Sequence, residues 1–279
     1  MIDTIETLHR STIQHGPLNR RIYLMKLHPD DAARIIPELS RLAREHGYGK
    51  ILAKVPESLA ERFRRAGYRT EARIPGFFKN GDAGLFMALF INPLREQERR
   101  PGPVTRSSAA VAAAVIDPAG NPVLDEMEEC RPADAPAMSR LYREVFATYP
   151  FPIHEPAFLA RAMEGHTRFF CRREADRIVA LGSCEMDPDN GTVEMTDFAV
   201  APDRRGKGLA GRLLSHMESA MRRCRMRMAY TIARSGSPAM NITFKKNGYR
   251  FAGALCNNTH IGGRIESMWV WYKPLPDSG

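Results

Sequence analysis

The sequence predicts a mixed α/β protein (an α+β mixed sheet) built from two packed units. Three observations carry that reading. The chain has 279 residues, where one domain takes roughly 150. Alternating apolar ribbons and amphipathic helices follow one another along it. Between Asn92 and Asp125 the composition shifts to proline, alanine, serine and arginine, the signature of a connecting segment. The expected organisation is therefore a smaller α/β accessory domain over 1–92, a linker over 93–125 and a larger domain over 126–279.

Composition removes several classes at once. With 43% hydrophobic and 26% charged residues the chain is no disordered tail, and it has no periodic glycine of a fibre. The longest apolar stretches, 109–116 and 85–91, fall far short of the roughly 20 residues that cross a bilayer, so no membrane span is expected. The opening MIDTIETLHR holds two acids and no apolar core, so no secretory leader and a cytoplasmic location are expected. A net charge of +9 admits a polyanionic or phosphorylated ligand. Its densest basic stretch, Arg204 to Arg227, also fits an ordinary solvated face. Five cysteines without a Cys-x-x-Cys pair read as reduced thiols, and eight dispersed histidines predict no metal site.

The larger unit is read element by element. Residues 127–132 form a strand, 133–146 a helix opened by the Pro132-Ala133-Asp134 turn, and 156–163 a second helix. A hairpin follows over 168–172 and 177–186, then an alternating strand over 192–201. Over 208–223, Ala210, Leu213, Leu214, Met217 and Met221 make one helical stripe. A strand over 226–233, a helix over 238–247 and two strands over 250–256 and 265–272 complete it. The first unit holds an internal echo: FRRAGYR at 63–69 matches FKKNGYR at 244–250, each after a strand and a short helix. Gly67 and Gly248 suit the left-handed end of a helix, and the tyrosine after each can pack back on it. On this reading the first unit imitates the second half of the larger domain, without a glycine-rich loop of its own.

The sharpest chemical signal is VAPDRRGKGLAG at 200–211, between a strand and an amphipathic helix. Gly206, Gly208 and Gly211 let successive N–H groups face one anion, and the positive helix end aims at the same point. The loop fits neither a Rossmann nor a P-loop pattern. Its core, Arg205-x-x-Gly208-x-Ala210, resembles the acetyl-CoA loop of the GNAT superfamily of N-acetyltransferases, and the resemblance covers 127–272. It implies that Arg205, Gly206, Lys207, Gly208, Leu209, Ala210 and Gly211 hold the CoA pyrophosphate, with Arg204, Lys207 and Arg212 serving the remaining charge. It implies further that Phe198, Ala199 and Val200 lie along the pantetheine arm. The family's later helix motif is similar to Asn241 and Phe244 ahead of Gly248-Tyr249, which adds both to the cofactor set. Members with a tyrosine proton donor carry it where this chain has Phe244, which leaves Tyr249, Tyr230 or solvent for that role.

Acetyl transfer needs a neutral amine, a polarised thioester carbonyl and a path for the proton. Glu194 and Asp197 are the acids of the 192–201 strand. Being an odd number apart, they are expected on opposite faces. Glu194 stands where family members with a carboxylate base place it and is the first candidate; Asp197 is the second. A backbone N–H near Phe198 would meet the carbonyl oxygen.

More narrowly, the whole chain is similar to the β-lysine N6-acetyltransferases, through IPGFFKNGDAGLFM (74–87), AMNITFKKNGY (239–249) and NNTHIGGRIESMWVWYK (257–273). This implies transfer from acetyl-CoA to the side-chain amine of β-lysine, giving the osmolyte N6-acetyl-β-lysine. A β-amino acid needs polar groups at its amino and carboxylate end. Asn257, Asn258, Thr259, His260 and Glu266, at the mouth of the last strand pair, are the candidates. The competing readings are transfer to a protein lysine, an N-terminus or a polyamine, and a non-catalytic CoA-sensing or nucleic-acid-binding module whose binding would fall steeply with salt. The expected partners are a small amine and, for the chain itself, a homodimer, with nucleic acid disfavoured.

Overall fold

The structure, a computed structural model, describes residues 3–97, Val111 and 127–276. The first half runs β1 (Thr4–Leu8), β2 (Ser11–Gly16), β3 (Arg21–Lys26), α1 (Ile35–Glu45), β4 (Lys50–Pro56), α2 (Ala60–Arg65), β5 (Arg69–Ile74) and β6 (Gly84–Phe90). The second runs β7 (Met127–Glu129), α3 (Ala135–Val145), α4 (Pro156–Glu164), β8 (Thr167–Glu174), β9 (Arg177–Asp187), β10 (Thr192–Val200), α5 (Leu209–Arg223), β11 (Met228–Arg234), α6 (Pro238–Lys246), β12 (Arg250–Ile261) and β13 (Arg264–Pro274). Most of the expected linker lies outside the described residues; Pro93–Arg95 form a 3-10 turn.

All thirteen strands join one mixed sheet in the order β1-β2-β3-β4-β6-β5-β12-β13-β11-β10-β9-β8-β7. The order is mirrored about the β5·β12 seam. Each half has one parallel pair, β3·β4 or β10·β11, followed by an antiparallel neighbour, β6 or β13. Helices α1 and α5 cross over in equivalent places, as do α2 and α6. The echo is therefore wider than expected: the first half repeats β8 to β13, not only the later part of the larger domain.

The two matching heptads build the same helix end. Tyr68 N–H donates to Phe63 O (3.0 Å) and Gly67 N–H to Arg64 O (2.9 Å); Tyr249 N–H donates to Phe244 O (3.1 Å) and Gly248 N–H to Lys245 O (3.0 Å). Gly67 and Gly248 have φ of 87° and 81°, the Schellman geometry that glycine adopts without strain. Each tyrosine ring packs edge-on against its phenylalanine, with centroids 5.2 and 5.4 Å apart. Where α5 is preceded by glycines, α1 is preceded by an acid. Buried Asp31 accepts from Ser11 Oγ (2.7 Å), Arg10 N (2.9 Å) and Arg34 Nη2 (2.8 Å), so a carboxylate stands where the second half has its open glycines.

Helix patterning follows burial. Ile35, Leu39 and Ala43 of α1 are buried against Ile22, Leu24 and Ile51, and Leu213, Leu214, Met217 and Met221 of α5 enter the core of the second half. Each such Ile or Leu stabilises the fold by roughly 1.5–3 kcal/mol. A third core joins the halves: Tyr23, Leu52, Phe77 and Phe86 pack with Met228, Tyr230, Leu255 and Val270. The sheet therefore folds over so that the inner faces of its halves meet, with α1 and α5 packed in the separate cores of each half. At the seam Gly253 pairs with Ala72, and a Cβ on Gly253 would stand 2.1 Å from Glu71 O. Only glycine lets β5 and β12 come this close.

One boundary differs from expectation in a way that matters for the site. β12 runs on to Ile261, so Asn257 to His260 lie within a strand and not in a loop; the turn is Gly262-Gly263. The register slips between Leu255 and Thr259, which re-aims these side chains. Among the described residues no helix is long and apolar enough to cross a membrane, and no three His, Cys, Asp or Glu side chains are grouped as a metal site.

Candidate active site

The site is created where a parallel pair of strands parts. β10 and β11 are paired only over Thr192–Glu194 and Met228–Tyr230. Beyond Glu194, β10 continues with β9 alone and β11 with β13 alone, so their facing edges open into a cleft. Directly past the fork β10 carries a bulge between Thr196 and Ala199, with Asp197 at φ 55°. This bulge overturns the expectation that Glu194 and Asp197 face opposite ways. Glu194 pairs with Glu185, whose strand neighbour on the same face is Ser183, and Ser183 Oγ donates to Asp197 Oδ2 (2.6 Å). One extra residue inverts the alternation and brings both carboxylates to one face.

Three carboxyl groups thus lie together on this face: Glu185, Glu194 and Asp197. Burial pushes all three up from their ordinary range, and for Glu185 the charges of Glu194 and Asp197 add to the effect. For Glu194, Lys54 and a hydrogen bond from Tyr230 act against burial. For Asp197, Ser183 and Tyr149 do so; Tyr149 donates its hydroxyl to Asp197 Oδ1. Lys54 reaches in from β4: its Nζ lies 3.2 Å from Tyr230 Oη and above the rings of Tyr230 and Phe77, at 5.3 and 5.5 Å. Burial holds its ammonium below the usual lysine range. Tyr23 of β3 is pushed up by burial and by Glu194.

Sequence reasoning missed Lys54, Glu185, Tyr23 and Tyr149. Glu185 was within reach, since pairing 177–186 with 192–201 about the 188–191 turn sets it opposite Glu194. The others come from distant segments, and no local pattern marks them.

The glycine loop lies at the wide end of the cleft. Gly208 (φ 72°) is the N-cap of α5, Gly206 has φ 78°, and around both the space where a Cβ would stand is open among the described residues. No side chain caps α5 and its first turn holds no acid, so its N–H groups remain available to an anion. Arg205 and Lys207 are exposed, Leu209 is buried, and Ala210 and Gly211 are half-buried. These features fit a diphosphate. The wider basic set does not all converge on it. Arg204 is held by Glu174 (2.8 Å) and Asp203 (2.8 Å), and Arg212 Nη2 donates to Lys207 O (3.4 Å). Ala199 is buried and Val200 half-buried, while the Phe198 ring meets Phe244 on α6 at 5.6 Å.

Other expected residues are placed elsewhere. Asn241 is buried and saturated: Nδ2 donates to Arg234 O and Ser237 O (2.9 Å each), and Oδ1 accepts from Trp271 Nε1 (2.9 Å). It ties α6 to β11 and β13. Buried Tyr249 lies among the groups on the α5 side, next to Glu218. That is the side faced by Gly182, against Leu213 and Met217, and opposite to Ser183 and the carboxylates. Tyr249 is therefore not brought to Glu194. Tyr230 is, as its direct strand partner.

The five polar residues of the last strand pair divide into two groups. Asn257 Nδ2 donates to Arg95 O and Gln97 O (2.9 Å each), and Glu266 pairs with Arg234 (2.6 Å) and Arg264 (3.0 Å). Both line a cavity of about 830 Å³ beside Arg20, Arg95 and Ser235. Buried Thr259 instead accepts from Arg21 of β3 and from its neighbour Asn258, and His260 donates its backbone N–H to Asn19 Oδ1 (2.6 Å).

Comparison with known proteins agrees with this geometry. The acetyltransferase (GNAT) family model matches residues 135–249, from α3 through the loop and α6 to Tyr249. A β-lysine N6-acetyltransferase of Methanococcus maripaludis is 38% identical over 98% of this chain and 99% of its own. A second protein of that name, from Methanosarcina mazei, is 36% identical over 51% of this chain and 53% of its own. The N-acetyltransferase YodP of Bacillus subtilis is 26% identical over 95% of this chain and 96% of its own. With an open amide cradle at the foot of a forked parallel pair, and with relatives matching from one end to the other, the chain belongs to the GNAT acetyltransferases and, within them, to the family of the β-lysine N6-acetyltransferases.

Proposed function

We propose that this acetyltransferase moves the acetyl group of acetyl-CoA to the N6 amine of β-lysine, in the cytoplasm, and that the product serves as a compatible solute. The observation that carries the proposal is half-buried Glu194 at the fork of β10 and β11, with Tyr230 as its partner and Lys54 opposite. The naming of the full-length relative supports the choice of amine.

When bound, acetyl-CoA supplies an activated thioester. Amides of 206–210 hold its diphosphate, the free edge of Phe198–Val200 holds the arm, and the N–H near Phe198 faces the carbonyl oxygen. Glu185, Glu194 and Asp197 draw in the substrate ammonium. Glu194, with its proton affinity raised by burial, takes the proton that makes the amine nucleophilic, a role that contributes about 10²- to 10⁴-fold. Tyr230, joined to Lys54, is placed to return a proton to the sulfur. Asp197 steadies the entry side through Tyr149 and Ser183. The first half, residues 3–92, is on this reading a substrate-side unit.

The test is thiol release from acetyl-CoA with β-lysine, α-lysine, spermidine and a lysine peptide. Acetylation of β-lysine at N6 with the highest kcat/KM is the expected result. Equal use of α-lysine and β-lysine, or a preference for spermidine, would remove the narrow assignment.

A further inference from the structure

Away from the carboxylates, the interior between the halves holds a second polar group in which hydrogen-bonding capacity is left over. Gln14, Arg21, Asn258 and Thr259 are all buried, at 2%, 4%, 1% and 6% exposure. They form one chain of contacts: Arg21 Nη2 to Gln14 Oε1 (3.4 Å), Arg21 Nη1 to Thr259 Oγ1 (3.3 Å), and Asn258 Nδ2 to Thr259 Oγ1 (3.1 Å). Among the described residues three atoms of this group find no hydrogen-bond partner: the donors Gln14 Nε2 and Arg21 Nε, and the acceptor Asn258 Oδ1. Leaving such groups unpaired is costly, and a buried cation without a counter-charge more so. Among the described residues Arg21 has no carboxylate within 4 Å; the nearby acids are engaged, Asp3 with Asn19 and Glu71 with Lys50. Burial lowers the Arg21 guanidinium to about 10.

The position of this group relative to the transfer site gives it a meaning. Arg21 and Tyr23 lie two apart on β3, and the guanidinium carbon is 5.3 Å from the Tyr23 ring centroid. Tyr23 in turn lies in the field of Glu194 and Glu185. The interior between the halves is thus cationic on the Arg21 side of Tyr23 and anionic on its Glu194 side. A small molecule that matches it carries a carboxylate and an amine at one terminus and an ammonium at the other.

Resting on the acetylation reading above, we infer that Arg21 and Gln14, with Asn258 across the seam, anchor the head of a diamino acid substrate. Arg21 and Gln14 take its carboxylate, and Asn258 Oδ1 accepts from its head amine. The first half of the chain then selects amino acids over plain amines. Arg21 is a specificity residue and no part of the transfer step.

Binding is read without turnover, by calorimetry with saturating unacetylated coenzyme A. Arg21→Met should weaken β-lysine binding by roughly 10- to 100-fold. With acetyl-CoA, its kcat/KM for 1,5-diaminopentane, which lacks the carboxylate, should stay within about threefold of the parent. Arg21→Lys keeps the charge but loses the planar fork, and should weaken β-lysine by several-fold in a fold that tolerates it. Unchanged β-lysine affinity in both variants overturns the inference, as does an equal loss for β-lysine and the diamine, or no β-lysine binding by the parent. Arg21-dependent binding without thiol release would instead remove the acetylation reading and leave the anchor in place.

Discussion

The ammonium of Lys54 and the hydroxyl of Tyr230 lie 3.2 Å apart across 176 positions of sequence. The contact brings a charge from the first half of the chain to the fork of strands in the second. From there the Lys54 charge opposes the upward push of burial on Glu194.

That coupling fixes a pH dependence. Burial raises the Glu194 carboxyl and Lys54 pulls it back; with Glu194 as the proposed base, activity should require a pH above the ordinary carboxylate range. The acid limb of kcat/KM should sit correspondingly high. In Lys54→Met the pull is gone, and the limb should move to still higher pH. Glu194→Gln should lower kcat/KM by about 10²-fold or more and abolish the limb. A Glu194→Gln profile that overlays the parent's would remove this residue from the mechanism.

Glu185 predicts an effect on stability of opposite character. Its folded-state affinity for a proton exceeds the unfolded one, so its stabilising contribution is full below the ordinary glutamate range and is lost as pH rises. Glu185→Gln should therefore raise the melting temperature at pH 7–8 and leave it nearly unchanged near pH 4. Melting curves of both proteins across that interval decide the matter.

Gly208→Val tests the cradle. The residue stands at φ 72° with open space where a side chain would project. Valine would strain the backbone by about 1–3 kcal/mol and fill the space where the proposed diphosphate would lie. The KM for acetyl-CoA should rise at least tenfold, while KM for the amine changes little.

Asn241→Ala separates a cofactor role from a structural one. Removing its amide leaves buried Trp271 Nε1 without its acceptor, while Arg234 O keeps the Ser237 N–H (3.1 Å). At about 1–3 kcal/mol for a buried group left unpaired, a loss of that size is expected. Chemical denaturation should register it, whereas a specific rise in the acetyl-CoA KM without loss of stability would return Asn241 to the cofactor.

Most of the second half was legible because its signals are local. The α5 stripe, the glycine loop and the hairpin over 167–187 follow from periods of 3.6 and 2 and from backbone conformations that glycine permits. The repeated heptads pointed to the mirrored halves, although six matched strands could not be inferred from seven residues. The face of Asp197 was misread because a bulge changes phase without a compositional mark; aspartate at positive φ gives no warning. Asn257 to His260 were misplaced for a similar reason, since polar residues in a strand imitate a loop. Arg21, Gln14 and Lys54 were out of reach altogether, because their surroundings arise only when the two halves of the sheet pack together.

The seam at Ala72 and Gly253 also determines how the chain can be divided. Each half ends there on a strand whose hydrogen-bonding edge is covered by the other. Cutting the polypeptide between the halves would leave β5 and β12 each with a bare edge, an invitation to self-association in trans. Truncated pieces should precipitate or dimerise through that edge, and co-expression of the two fragments should restore a soluble pair.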